Sequence, residues 1–284
     1  MLKKIILSIC LIFLSFSLSA DENTYKMVFV PASEKGDESD YSNLIAITEK
    51  LTGLNIDTIK VTDYNAAVEA MRAGRAHIAW YGGNTYVKAA DIANAEAFAA
   101  GVRPGEKDAG YYTYFVVKKG SNLKKFTDVK GKVLSLNTIG STSGDLIPQV
   151  ELSKINLSIK NEDHFKNVFY AGSHDACLLA VINNQSDVCG MSSRNFEARL
   201  EDGTFKQDDV RIIHKSVRVP PPPLAYSKLI PLNDREKIKK AVLEAHKHGE
   251  IGGYGGKMSH YIGVKDSDYN VLREVIALLE KNKS

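Results

Sequence analysis

From residue 26 onward, short runs rich in β-branched and aromatic residues alternate with longer stretches whose apolar residues recur at helical spacing, and this alternation occurs twice. A chain patterned in this way builds α/β layers, because each strand is followed by a helix long enough to cross over and pack on the sheet. In the first series, residues 26–31, 57–61 and 77–80 read as strands. Residues 43–52, 64–73 and 85–93 read as helices, the first two ended by Gly53 and Gly74. In the second series, strands are predicted over 112–118, 133–137, 167–170, 188–191 and 211–215, with helices after Gly144 and over 175–183. Pro220, Pro221, Pro222 and Pro223 then form a run that can join neither a helix nor a central strand. It reads as a stiff extended crossover. Helices over 234–248 and 268–280 close the chain, with 249–256 between them a glycine-rich, mobile-looking loop. The expectation is two α/β lobes with mainly parallel sheets joined by two crossover strands. Residues 21–110 with 216–284 would form the first lobe, and 111–215 the second. Ligands of such folds lie between the lobes, beyond the carboxyl ends of the strands.

The first twenty residues follow another logic. Lys3 and Lys4 precede an apolar run over 5–16, and small residues surround Ala20. That is the layout of a secretory signal peptide cleaved near Ala20, and the run is too short for a comfortable membrane span. The mature protein is therefore expected in the periplasm. Cys177 and Cys189 would then meet an oxidising compartment, as a disulfide or as two buried thiols. The formal charge of +3 over 284 residues is too near zero for a polyanion partner, so no nucleic acid is expected.

Three segments carry chemistry. Gly140, Ser141, Thr142, Ser143 and Gly144 lie between a strand and a helix. A helix N-terminus leaves backbone N–H groups unpaired and favours negative charge, so three hydroxyls there make an anion cradle; the alternative is an ordinary N-cap. Ser173, His174 and Asp175 open another helix. His174 can donate to an oxyanion. Asp175 either caps its helix or accepts a proton from a monoprotonated ligand, which would make binding weaken as pH rises. In the first lobe, Tyr81, Asn84 and Thr85 follow a strand and offer further donors, whereas Trp80 and Tyr86 read as core packing. The roles of Glu34, Glu38 and Tyr41 in the first loop stay open.

These segments, in order, resemble the substrate-binding proteins of phosphate, phosphite and phosphonate ABC transporters. The resemblance rests on W-Y-G from Trp80, S-T-S-G-D-L-I-P from Ser141, A-G-S-H-D from Ala171 and V-P-P-P-P from Val219. It implies a type II periplasmic-binding-protein fold, two lobes with a hinge, and no enzymatic activity or cofactor. Ser141, Thr142 and Ser143 would bind the oxygens of a small tetrahedral oxyanion, assisted by Tyr81, His174 and Asp175. The partner would be a membrane permease, and the protein a monomer. Two positions depart from the family pattern. Asp145 replaces a common aromatic residue. Pro222 stands where binders of aminoalkylphosphonates carry an acid, which points to a smaller or uncharged substituent.

Ser, His and Asp together also invite a hydrolase reading. His174 and Asp175 are chain neighbours at a helix start, so their side chains diverge, and no G-x-S-x-G elbow is present. A metal site is disfavoured because His246 and His248 lie on different faces of a helix. Other small anions, phosphate or a carboxylate, and presentation of the ligand to a sensor, remain alternatives within the binding class.

Overall fold

The structure is a computed structural model describing residues 24–34 and 37–281. The signal-peptide reading of residues 1–20 lies outside the described residues. In chain order the elements are β1 (Thr24–Phe29), α1 (Asp37–Thr52), β2 (Asn55–Ile59), α2 (Tyr64–Arg72), β3 (Ile78–Trp80), α3 (Gly83–Ile92) and β4 (Ala95–Val102). Next come β5 (Thr113–Lys118), β6 (Val133–Leu136), a π-helical turn (Thr142–Leu146) running into α4 (Ile147–Ser153), β7 (Asn167–Tyr170), α5 (His174–Ile182), β8 (Val188–Ser192), α6 (Ser193–Glu201) and β9 (Val210–Lys215). The chain ends with β10 (Leu224–Ser227), α7 (Leu232–Glu244), β11 (Ile251–Gly253), β12 (Gly256–Met258), β13 (His260–Gly263) and α8 (Asn270–Lys281).

Two sheets result. One has the order β13-β4-β10-β3-β1-β2, the other β7-β6-β8-β5-β9. In each sheet three strands at one end are parallel (β3-β1-β2; β7-β6-β8), and the remaining strands pair antiparallel. Strand β5 shows why the second sheet is sandwiched by helices. Its residues 113–117 are all buried, Phe115 and Val117 in one apolar cluster and Tyr114 and Val116 in another. A period of two sends alternate side chains to opposite faces, so both faces must be covered.

The connections between the sheets lie side by side. Tyr111 and Val219 form an antiparallel bridge, with N–H···O distances of 3.2 and 2.8 Å in the two directions. The proline run then returns to the first sheet, where the Pro223 carbonyl accepts the Tyr81 N–H at 3.0 Å. Residues 249–256 are not a loose loop. Strands β11 and β12 pair as a hairpin across Tyr254 and Gly255 and pack on α1. Glycines there lack the side chains whose alternation marks a strand, so the pattern was hidden. Strands β4 and β10 and helix α6 were likewise absent from the sequence reading. Cys177 of α5 and Cys189 of β8 form a disulfide, with Cα atoms 5.6 Å apart. Among the described residues no helix is long and apolar enough to cross a membrane.

Candidate functional site

Between the two sheets lies a tight pocket with a cavity volume of about 10 Å³, room for about one water molecule. Tyr64, Trp80, Gly82, Tyr111, Ser141, Thr142, Ser143, His174, Pro222 and Tyr254 line it. The lining holds no acidic residue, lysine or arginine.

Its floor is set by local chain chemistry. An ordinary helix would use the Gly144 carbonyl to bond the N–H of residue 148, but that residue is Pro148 and has none. The carbonyl instead accepts the Asn137 N–H from the end of β6 at 2.9 Å. The first turn correspondingly widens: the Leu146 N–H reaches the Ser141 carbonyl at 3.0 Å, and Ile147 N–H reaches Thr142. Such wide turns concentrate at functional sites. Gly144 is required by contact, because a Cβ there would lie 2.3 Å from the Asn137 Cβ and 2.9 Å from the His174 ring.

The three hydroxyl residues are buried and come together, but they are not equivalent. Ser141 is the N-cap. Its oxygen accepts the Gly144 N–H at 3.2 Å and an Asn137 side-chain N–H at 3.3 Å. Thr142 Oγ1 accepts the Asn84 backbone N–H, from the other lobe, at 2.9 Å. The Ser143 and Thr142 hydroxyls lie against the Tyr111 phenol, which burial holds above its ordinary pKa. Thr113 Oγ1 fixes the Ser143 carbonyl at 3.0 Å.

His174 faces the same space. Its Nδ1 accepts the Ser192 N–H at 3.3 Å, and burial pushes its pKa down to about 3. The ring is therefore neutral at physiological pH, with its proton on Nε2 as a fixed donor. The Trp80 indole N–H is buried and has no hydrogen-bond partner among the described residues. A buried donor left unpaired is costly, and here it belongs to a wall of the pocket.

Two expected site residues stand elsewhere. Tyr81 follows Trp80 but is absent from the pocket lining; its hydroxyl donates to the Ala67 carbonyl of α2 at 3.2 Å. Asp175 also lies outside the lining. Its Oδ2 accepts the Glu34 N–H at 3.0 Å and its Oδ1 lies 3.7 Å from Arg199. Adjacent Ser173 caps α5 and meets the Glu34 carboxylate at 3.5 Å. Asp145 is likewise occupied away from the pocket, by the Gly140 N–H, Gln149 and Tyr170 at 2.7 to 2.8 Å.

Sequence reasoning passed over Tyr64, Tyr111 and Tyr254 as pocket residues, and it read Trp80 as core. Only the residues flanking W-Y-G and the proline run hinted at that wall. Pro222 does line the pocket. The whole arrangement offers neutral donors: hydroxyls, an imidazole N–H and an indole N–H. Such a set suits a desolvated oxyanion, whose burial is tolerable only with many hydrogen bonds.

The sequence comparisons agree with this geometry. The chain matches the family of ABC-transporter phosphonate periplasmic substrate-binding proteins over residues 27–269. It is 31% identical over 196 residues to the phosphonates-binding periplasmic protein of Escherichia coli, an alignment spanning 67% of this chain and 56% of that protein. In structure it is similar to a binding-protein component of an ABC phosphonate transporter from Pseudomonas aeruginosa (TM-score 0.79, 20% identity, 92% of this chain and 87% of that one). It is similar also to PhnD1 of Prochlorococcus marinus, solved with methylphosphonate (TM-score 0.79, 20% identity, 92% and 99%). The chain thus has the fold of the periplasmic binding proteins and belongs to the phosphonate substrate-binding family of ABC transporters.

Proposed function

We propose that this protein captures a small phosphonate-like oxyanion between its lobes and delivers it to the membrane permease of an ABC importer. The observation that carries the reading is the pocket itself: the buried Thr142 and Ser143 hydroxyls and the His174 ring line it together, without any charged side chain in the lining. Ser141 contributes by holding the turn. The methylphosphonate complex of PhnD1 supports the ligand class.

The substituent is small and uncharged. Trp80, Tyr254 and Pro222 line the same pocket as the hydroxyls, and its lining holds no carboxylate for a ligand ammonium. The lobes, divided near residues 110 and 216, would rotate about the Tyr111–Val219 bridge. Residues 1–20 would direct secretion with cleavage near Ala20, and the secreted protein would act as a monomer.

Calorimetry of the purified protein against methylphosphonate, phosphite, phosphate and 2-aminoethylphosphonate tests the reading. Methylphosphonate or phosphite is expected to bind tightest. Preference for 2-aminoethylphosphonate would refute the substituent class, and binding of none of the four would refute the function.

A further inference from the structure

The start of α3 is docked onto the floor of the pocket. Within two residues of the first lobe, three donors meet two acceptors of the second. The Asn84 backbone N–H goes to Thr142 Oγ1 at 2.9 Å, and Asn84 Nδ2 and Thr85 Oγ1 go to the Gly140 carbonyl at 3.1 and 3.0 Å. Gly82, the N-cap of α3, comes so close that a Cβ there would lie 3.0 Å from Thr142 Oγ1. Thr142 is therefore a point where the two lobes touch and also part of the ligand pocket.

A hydroxyl has one proton and two lone pairs. With the Asn84 N–H occupying a lone pair, the Thr142 proton, which faces the Tyr111 phenol, can be handed to a ligand oxygen instead. An oxyanion that takes it polarises the hydroxyl and makes Oγ1 a better acceptor for Asn84. We propose that Thr142 couples ligand occupancy to lobe closure: its one hydroxyl donates to the bound oxyanion and accepts the Asn84 N–H of the opposite lobe. This rests on the oxyanion reading above. A ligand shifts the open–closed balance only by its differential affinity for the closed form, and this relay is a contact that exists only when the lobes meet. Asn84 and Gly82 are then positioning residues for closure.

Two variants disturb the lobe contact. Asn84→Pro deletes the N–H at a first-turn helix position that tolerates proline. Gly82→Ala wedges a methyl group against Thr142 Oγ1, and its backbone, at φ −67° and ψ 154°, accommodates alanine. Affinity for methylphosphonate is read by calorimetry, and contraction of the molecule by small-angle X-ray scattering at matched occupancy. Both variants are expected to bind about fivefold or more weakly and to contract less than the parent protein. Thr142→Ser should retain both properties, and Thr142→Val should lose both. Full contraction of Asn84→Pro and Gly82→Ala at matched occupancy would overturn the coupling, even if Thr142→Val binds poorly. Unchanged affinity in Thr142→Val would instead remove the oxyanion site beneath it.

Discussion

The Ser192 N–H points at His174 Nδ1 across 3.3 Å, joining the end of β8 to the start of α5. That bond assigns the histidine proton to Nε2 and makes the ring a donor rather than a titrating switch. Burial lowers the His174 pKa to about 3, against 6.5 when unfolded. The unfolded chain thus binds more protons between those values, so stability is complete above about pH 6.5 and falls as pH drops toward 3. Denaturant unfolding should show a loss on the order of 2 kcal/mol from this group between pH 7 and pH 5. His174→Gln should remove that slope and also weaken methylphosphonate binding. A slope unaltered by the substitution would contradict the buried neutral imidazole.

Tyr81 and Tyr111 should behave oppositely. The Tyr81 hydroxyl is committed to Ala67, whereas the Tyr111 phenol lies among the pocket hydroxyls. Tyr81→Phe is expected to cost about 1 kcal/mol of stability and to leave affinity within about twofold. Tyr111→Phe should weaken binding by about fivefold or more. Calorimetry and thermal unfolding of both proteins separate the two effects, and a reversed pattern would place Tyr81 in the site.

The Cys177–Cys189 disulfide closes a short loop between α5 and β8, next to the His174–Ser192 contact. Closing a loop of this length stabilises by about 3 kcal/mol in the chain-entropy model. Replacing both cysteines with alanine should lower the unfolding midpoint accordingly, and adding reductant to the unaltered protein should do the same. A midpoint indifferent to reductant would show that the bond does not form.

Asp175 was a candidate proton acceptor for the ligand. Its carboxylate instead meets the Glu34 N–H and Arg199 outside the pocket. Asp175→Asn is expected to destabilise the protein by about 1–3 kcal/mol, because Arg199 loses a buried partner. The dependence of affinity on pH between 6 and 8 should follow the parent protein. A pH profile flattened by the substitution would restore the proton-sharing role.

Much of the architecture could be read from the sequence. The cadence of strands and helices specified two α/β units, and the strand over residues 167–170 has the expected bounds, because periodicity and turn glycines are local signals. The cradle was legible for the same reason: Gly140 to Gly144 lie between a strand and a helix. The aromatic wall was not. Tyr254 sits on a hairpin whose glycines conceal its strands, and Tyr111 is brought to Ser143 only by the pairing of two crossovers distant in sequence. The adjacent Trp80 and Tyr81 exchanged roles. Only Trp80 joins the pocket lining, while Tyr81 is bound beneath α2. Which of two neighbours faces a cavity is a tertiary fact.

Trp80 also supplies the most direct test. It is the only tryptophan in the chain, it lines the pocket, and its buried indole N–H has no hydrogen-bond partner among the described residues. Its fluorescence should change saturably as methylphosphonate is added, and the change should be lost in Ser143→Ala with Thr142→Val. A signal unmoved by ligand, or one that survives the double substitution, would contradict an oxyanion held by those hydroxyls.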